Sequence, residues 1–270
     1  MNNKFILKTV IAVIVSVMFF SNTYSQTAKD PAAKKLALML ANPVANLISV
    51  PFQNNTVWGM GELNGSQNVL NFQPVIPVSI GKSINLINRF ILPMITQYNI
   101  TGVADKQNSL GDAVYSIFIS PAKSKIIWGV GPVMSIPTAT NKYTGSGRFS
   151  IGPTGVILYQ TKGWTLGALV NQYWSVGGDP TRGNQTQGYL QPFFGYAWKS
   201  GAGFNLNAEM TQNWKIKQTQ TYMNLVISGL TKFGKIPVQL FAGPRIPISA
   251  PENVKGSFGV RAGLTLIFPK

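Results

Sequence analysis

Residues 256–270 read GSFGVRAGLTLIFPK, and every second residue from Phe258 is apolar: Phe258, Val260, Ala262, Leu264, Leu266 and Phe268. Between them stand Gly259, Arg261, Gly263, Thr265 and Ile267. Successive side chains of a β-strand point to opposite faces, so this segment is a strand with one greasy face and one face of mostly small or polar residues. The stretch GFNLNAEMTQNW, 203–214, repeats the pattern more cleanly. Phe204, Leu206, Ala208 and Met210 fall on one side, with Asn205, Asn207, Glu209 and Thr211 on the other.

Composition says what the greasy face meets. Only 11% of the 270 residues are charged, against about 25% in soluble globular domains. That is too little charge to cover a water-facing surface. Beyond the first 25 residues, however, no apolar run approaches the roughly 18–20 residues of a spanning helix. A membrane barrel reconciles the two facts by hiding its hydrophobicity at alternate positions. The expected fold is all-β: an antiparallel up-and-down transmembrane β-barrel of about 12 strands with a short N-terminal helix.

The first 25 residues have Lys4 and Lys8, then an apolar run from Val10 to Phe20, then small and polar residues through Ser25. This is the pattern of a secretory signal peptide. No Cys follows the cleavage site, so no lipid anchor is expected. The expected division is 1–25 signal peptide, 26–44 N-terminal helix segment and 45–270 barrel. In the second part, DPAAKKLALMLAN (30–42) has Asp30 as N-cap and Pro31 at the first helical position, and Pro43 ends it.

From residue 45 onward the alternation gives strand cores at 47–60, 68–81, 83–98, 110–121, 125–138, 148–161, 163–176, 187–199, 202–214, 221–232, 235–249 and 257–268. Their connections alternate in character. Short ones carry lysine, at Lys82, Lys123 and Lys125, Lys162, Lys199, and Lys232 with Lys235. The intervening ones are mostly longer and polar, as in TNKYTGSGR (140–148) and GGDPTRGNQTQ (177–187). Short turns at one end and long loops at the other is the arrangement of outer-membrane barrels, with both termini on the periplasmic side. Tryptophan follows the same division. Trp128, Trp164 and Trp198 fall near the short-turn ends of their strands, and Trp58, Trp174 and Trp214 near the long-loop ends. Those are the two interfacial girdles, where an apolar ring with an N–H that wants water is at home.

Prolines fall inside many of these strands, several beside glycine, as in GVGP (129–132), IGP (151–153) and AGP (242–244). Proline lacks the N–H a ladder uses, so kinks or bulges in the wall are expected there.

The stretches LANPVANLISVPFQNN (40–55), NFQPVIPVSI (71–80), LGDAVYSIFISPAK (110–123) and GVGPVMSIPT (129–138) together resemble the MetA-pathway phenol-degradation family of bacterial outer-membrane proteins. That resemblance implies an outer-membrane barrel and the passage of small hydrophobic or aromatic compounds. Residues Arg261, Gly263, Leu266 and Phe268 look like the signal by which the barrel-assembly machinery selects its clients, although Pro269 and Lys270 follow the aromatic residue. The partners so implied are that machinery, outer-membrane lipid with lipopolysaccharide, and a small solute.

The chain has no His and no Cys. Ser-His and Cys-His nucleophile systems and the usual transition-metal sites are therefore excluded, and no cofactor is expected. The chain is strongly basic, at formal charge +16, but its lysines and arginines are spread among turns without interleaved aromatics, which disfavours nucleic acid. Parity points Arg89, Arg245 and Arg261 inward, with Asp112 and Glu209. These five are the candidate lumen residues: either the acids pair with the arginines and brace the barrel, or they form a constriction that selects solutes. A passive, non-enzymatic channel for small solutes is expected. The alternative is a structural or adhesive barrel with a plugged lumen.

Overall fold

Chains that alternate along their whole length cannot bury one face by folding helices, so the sheet closes on itself. The computed structural model describes residues 31–268. The expected signal peptide, the expected N-cap Asp30 and the last two residues lie outside the described residues. One helix, α1 (Pro31–Leu40), precedes fourteen strand segments: β1 (Ile48–Met60), β2 (Gly65–Phe72), β3 (Val75–Ile80), β4 (Ile84–Tyr98), β5 (Lys106–Leu110), β6 (Ala113–Pro121), β7 (Ile127–Ile136), β8 (Arg148–Thr161), β9 (Trp164–Gly178), β10 (Thr186–Ala197), β11 (Gly203–Asn213), β12 (Gln218–Phe233), β13 (Ile236–Ser249) and β14 (Phe258–Phe268).

These segments make twelve wall strands. β2 and β3 pair with successive stretches of β4 and form one strand interrupted at Gln73 and Pro74. β5 and β6 likewise share the far side of β4 and break at Gly111 and Asp112. Every neighbour is antiparallel, and β14 returns to β1 over its full length, from Phe268 opposite Ile48 to Phe258 opposite Trp58. Closure leaves no free edge. The fourth wall strand begins four residues earlier than its alternation indicates, at Lys106, because Lys106–Leu110 pairs with β4 despite carrying no apolar face.

Inside and outside differ as the alternation requires. On β8, Ile157 and Tyr159 are 56% and 42% exposed on the outer face, whereas Val156 and Leu158 between them are 4% and 2%. Leu166 and Val170 on β9, Leu190 on β10 and Leu225 and Ile227 on β12 continue the exposed apolar belt. Trp164 packs with Phe194, Tyr196 and Phe204, and Trp198 joins them, at the short-turn end. At the other end Trp214 donates its indole N–H to Gln172 Oε1 at 3.0 Å.

The prolines act differently from the bulges expected of them. Pairing lapses for two residues beside Pro132, Pro153, Pro192 and Pro244 and then resumes in the same register. The register shifts lie elsewhere, between Trp58 and Met60, between Phe149 and Ser150, and between Thr221 and Tyr222. The glycine before three of these prolines explains why the wall stays closed. A Cβ on Gly131, Gly152 or Gly243 would lie 1.8–2.0 Å from a carbonyl oxygen of the next strand. Without one, the two backbones stay in close approach where the ladder bond is missing.

The helix α1 lies across the short-turn end of the lumen. Its Leu36, Met39 and Leu40 pack, alongside Leu230, against Ala45, Leu47 and Ile267. Gln160 Nε2 on β8 donates to the Leu38 carbonyl at 2.9 Å, and Lys34 Nζ donates to the Lys162 carbonyl at 3.1 Å.

Candidate functional site

The strand register assembles a polar belt on the inner wall. On β11, β12 and β13 it sets Asn207 opposite Asn224 and Asn224 opposite Arg245. On the last pair of neighbours it sets Arg261 of β14 opposite Asn55 of β1. Glu209, two residues along from Asn207 on the same face, reaches both arginines. Arg245 Nη1 donates to Glu209 Oε2 at 2.6 Å, and Arg261 Nη2 donates to Glu209 Oε1 at 2.7 Å.

Neutral side chains complete the belt. Arg245 also donates to Asn224 Oδ1 at 2.9 Å, and Arg261 Nε donates to Asn55 Oδ1 at 2.7 Å. Asn224 then donates to Asn207, and Asn207 to Asn205. The Arg245 guanidinium stacks 3.8 Å above the Tyr222 ring. Such a network satisfies charges that would otherwise be costly to take out of water. Burial is deep, with side-chain exposures of 10% for Arg245, 4% for Arg261 and 15% for Glu209.

Of the five candidate lumen residues, three meet in this belt. Arg89 on β4 stands apart from Glu209's two ion pairs: its one hydrogen bond among the described residues is to Gln73 Oε1, at 3.4 Å. Asp112 is not with the arginines at all. It sits in the break between β5 and β6, where it accepts from Ser146 N and Oγ, both at 2.6 Å, and from Ala139 N at 3.3 Å. Asp112 still faces inward, as parity indicates, since it borders the cavity beneath the long loops with Val114 and Tyr173, but it makes no ion pair with an arginine among the described residues. Asp112 thus fastens the loop between β7 and β8.

Arg182, in the loop between β9 and β10, ties the same loop down by donating to the carbonyls of Lys142, Gly145 and Ser146. Asp179 turns that second loop by accepting from the Thr181 hydroxyl and N–H at 2.7 and 2.9 Å. Those two bonds, with Arg182 and Arg148 adding attraction, hold its carboxyl below the ordinary aspartate value. Among the described residues no group of three His, Cys, Asp or Glu side chains could hold a metal ion.

The rest of the lumen is less polar than its asparagines and glutamines indicate. Ile87, Phe118, Val156, Leu158, Leu169 and Phe193 form a buried apolar cluster with Val44 from the segment after α1. These residues come from β4 through β10, so the inner wall is apolar on that arc and charged on the arc from β11 to β1. The signal was present in SIFIS (116–120) and VILY (156–159), where apolar residues occupy both faces. Asn55 and Tyr222 were also legible from parity alone, as inward partners awaiting a charge.

Two cavities occupy the lumen. One, of about 300 Å³, lies between α1 and the belt and is bordered by Leu40, Gln73, Val75, Arg89, Leu169, Phe193 and Arg261. The other, of about 650 Å³, lies beneath the long loops and is bordered by Asp112, Tyr143, Ser146, Tyr173 and Arg182.

The fold is similar to that of the COG4313 outer membrane channel from Pseudomonas putida F1, with a TM-score of 0.65 over 90% of this chain and 98% of that one, at 13% identity. This likeness establishes the closed twelve-stranded antiparallel barrel. A mutant of Rh. blastica porin aligns over 82% of this chain and 99% of its own at 10% identity, with a TM-score of only 0.23, and bears on nothing here. No family model and no curated protein matches the sequence. The resemblance to the phenol-degradation family therefore has no family match behind it.

Proposed function

We propose that the chain is an outer-membrane channel that passes small solutes, with its termini on the periplasmic side. The observation that carries this reading is the two-sided wall. An apolar outer belt lies between tryptophans at both ends, and the inner wall holds Glu209, Arg245 and Arg261 with their asparagines. The outer face suits hydrocarbon and the inner face suits water and solute. Among the described residues the belt and the cavity beside it hold three arginines against Glu209, with Asp112 apart at the long-loop mouth. A narrow, poorly screened passage with that excess favours anions over cations. Reversal potentials across a planar bilayer in a salt gradient test both points. Anion-selective conductance is expected, and a cation-selective pore would refute the inward assignment of the arginines.

A specific observation also favours the plugged barrel. Val44 joins a buried apolar cluster that spans the interior, and α1 rests across the short-turn end. Removing residues 31–42 separates the readings. Raised conductance shows a removable plug in a channel. A barrel that stays folded and conducts nothing, with or without the segment, has no open path.

A further inference from the structure

We propose that the cavity beneath the belt is a binding station for a monocarboxylate with a compact hydrocarbon body, and that Arg89 holds its carboxylate. The proposal rests on the channel reading for the solute's route, and deepens it by naming the solute class.

Arg89 differs from its two neighbours in the lumen. Arg245 and Arg261 are both engaged with Glu209 and each also has an asparagine. Arg89 has the single long bond to Gln73, and its guanidinium borders the cavity of about 300 Å³. A guanidinium always stays charged and presents a planar fork of donors that matches a carboxylate in two parallel bonds. Here Gln73 is the one hydrogen-bond partner of that fork among the described residues, and the side chain borders the cavity.

The surroundings choose the kind of anion. Glu209 is already neutralised by its arginines, so it does not supply Arg89 with a partner. Apart from Arg261, which Glu209 engages, the other polar groups on this cavity are neutral amides and hydroxyls, Gln53, Gln191, Gln239 and Thr265 among them. Among the described residues Arg89 has no ion pair, and a single cation of this kind calls for one negative charge. The same cavity is also lined by the apolar side chains of Leu40, Val75, Leu169 and Phe193. A halide or inorganic phosphate would leave that apolar wall unused. A carboxylate attached to an aliphatic or aromatic body uses both halves. The volume is at the small end of ligand pockets, which run roughly 300–1,000 Å³, and limits the body to about one ring or a short chain.

The test uses the full chain, folded in detergent, titrated calorimetrically with benzoate and with benzamide, the neutral isostere. Saturable benzoate binding at least tenfold tighter than benzamide is expected. Arg89→Gln should weaken benzoate by about ten- to a hundred-fold, the loss of a charge-assisted pair. Arg89→Lys should fall between, since an ammonium keeps the charge and loses the fork. Equal binding of the two probes to the wild type, or none of benzoate, overturns the proposal, whether or not the variants fold. A folded Arg89→Gln that keeps wild-type affinity overturns it as well. Conductance in bilayers is recorded in parallel. Open conductance without benzoate binding removes the station and leaves the channel, whereas benzoate binding without conductance supports the station and removes the channel.

Discussion

Removing the Glu209 carboxylate tests whether the belt braces the barrel. Glu209→Ala leaves Arg245 and Arg261 facing each other across the space that held two ion pairs of 2.6 and 2.7 Å. Both arginines keep their asparagine partners, and Arg245 keeps the Tyr222 ring, so the loss is partial. At an effective dielectric of about 20, unit charges about 4 Å apart attract by roughly 4 kcal/mol. Two such attractions disappear, while the repulsion between the arginines and part of the desolvation cost remain. Breaking a buried pair from one side typically costs about 3–5 kcal/mol. At roughly 2–3 °C per kcal/mol for a chain of this size, the folded barrel should melt about 6–15 °C lower. Circular dichroism melting in detergent, beside a gel assay of heat-modifiable mobility, measures it. Replacing Glu209, Arg245 and Arg261 together by methionine should restore most of the loss, because no charge is then left unpaired. A melting point within about 2 °C of wild type for Glu209→Ala would refute the reasoning. It would mean that water already screens the belt.

Three further outcomes are expected. Phe268→Asp should lower the amount of barrel assembled in the outer membrane, because Phe268 is exposed on the outer face beside the β14–β1 seam; wild-type levels of folded, heat-modifiable protein would contradict this. Gly243→Ala should destabilise by at least about 2–3 kcal/mol, since its Cβ would lie 1.8 Å from the Leu225 carbonyl oxygen, and an unchanged melting point would show that the β12–β13 contact yields freely. The turn at Asp179 should resist acid. Its carboxyl is held below its usual value, so its contribution is present above the ordinary aspartate value near 3.9 and is lost only as pH falls through the lower, folded-state value. Hydrogen exchange in residues 179–185, taken relative to the intrinsic rate at each pH, should stay slow down to about pH 4 and quicken below it. Quickening already between about pH 6 and 5 would mean that Thr181 does not grip the carboxylate.

Alternation along single segments was enough to give the all-β class, the strand count and the closed barrel, because side-chain parity is a local property of an extended chain. The last strand shows this best: its six apolar positions name the outer face before any neighbour is known. Parity also turned Glu209, Arg245 and Arg261 inward. It could not say that one carboxylate bridges both arginines, since that depends on the stagger among β11, β13 and β14, which pairing sets across more than fifty residues of chain. Nor could it say that Asp112, in the break between β5 and β6, fastens the loop at 139–146 instead of meeting an arginine, since that depends on how the β7–β8 loop folds over the mouth. The apolar arc of Phe118, Leu158 and Leu169 was hidden for another reason. A strand that is apolar on both faces reads the same whether its second face meets a partner sheet, a plug or a lumen. Only closure of the barrel, with α1 and Val44 brought to the short-turn end, decides that these side chains pack on one another and that Arg89 borders a cavity.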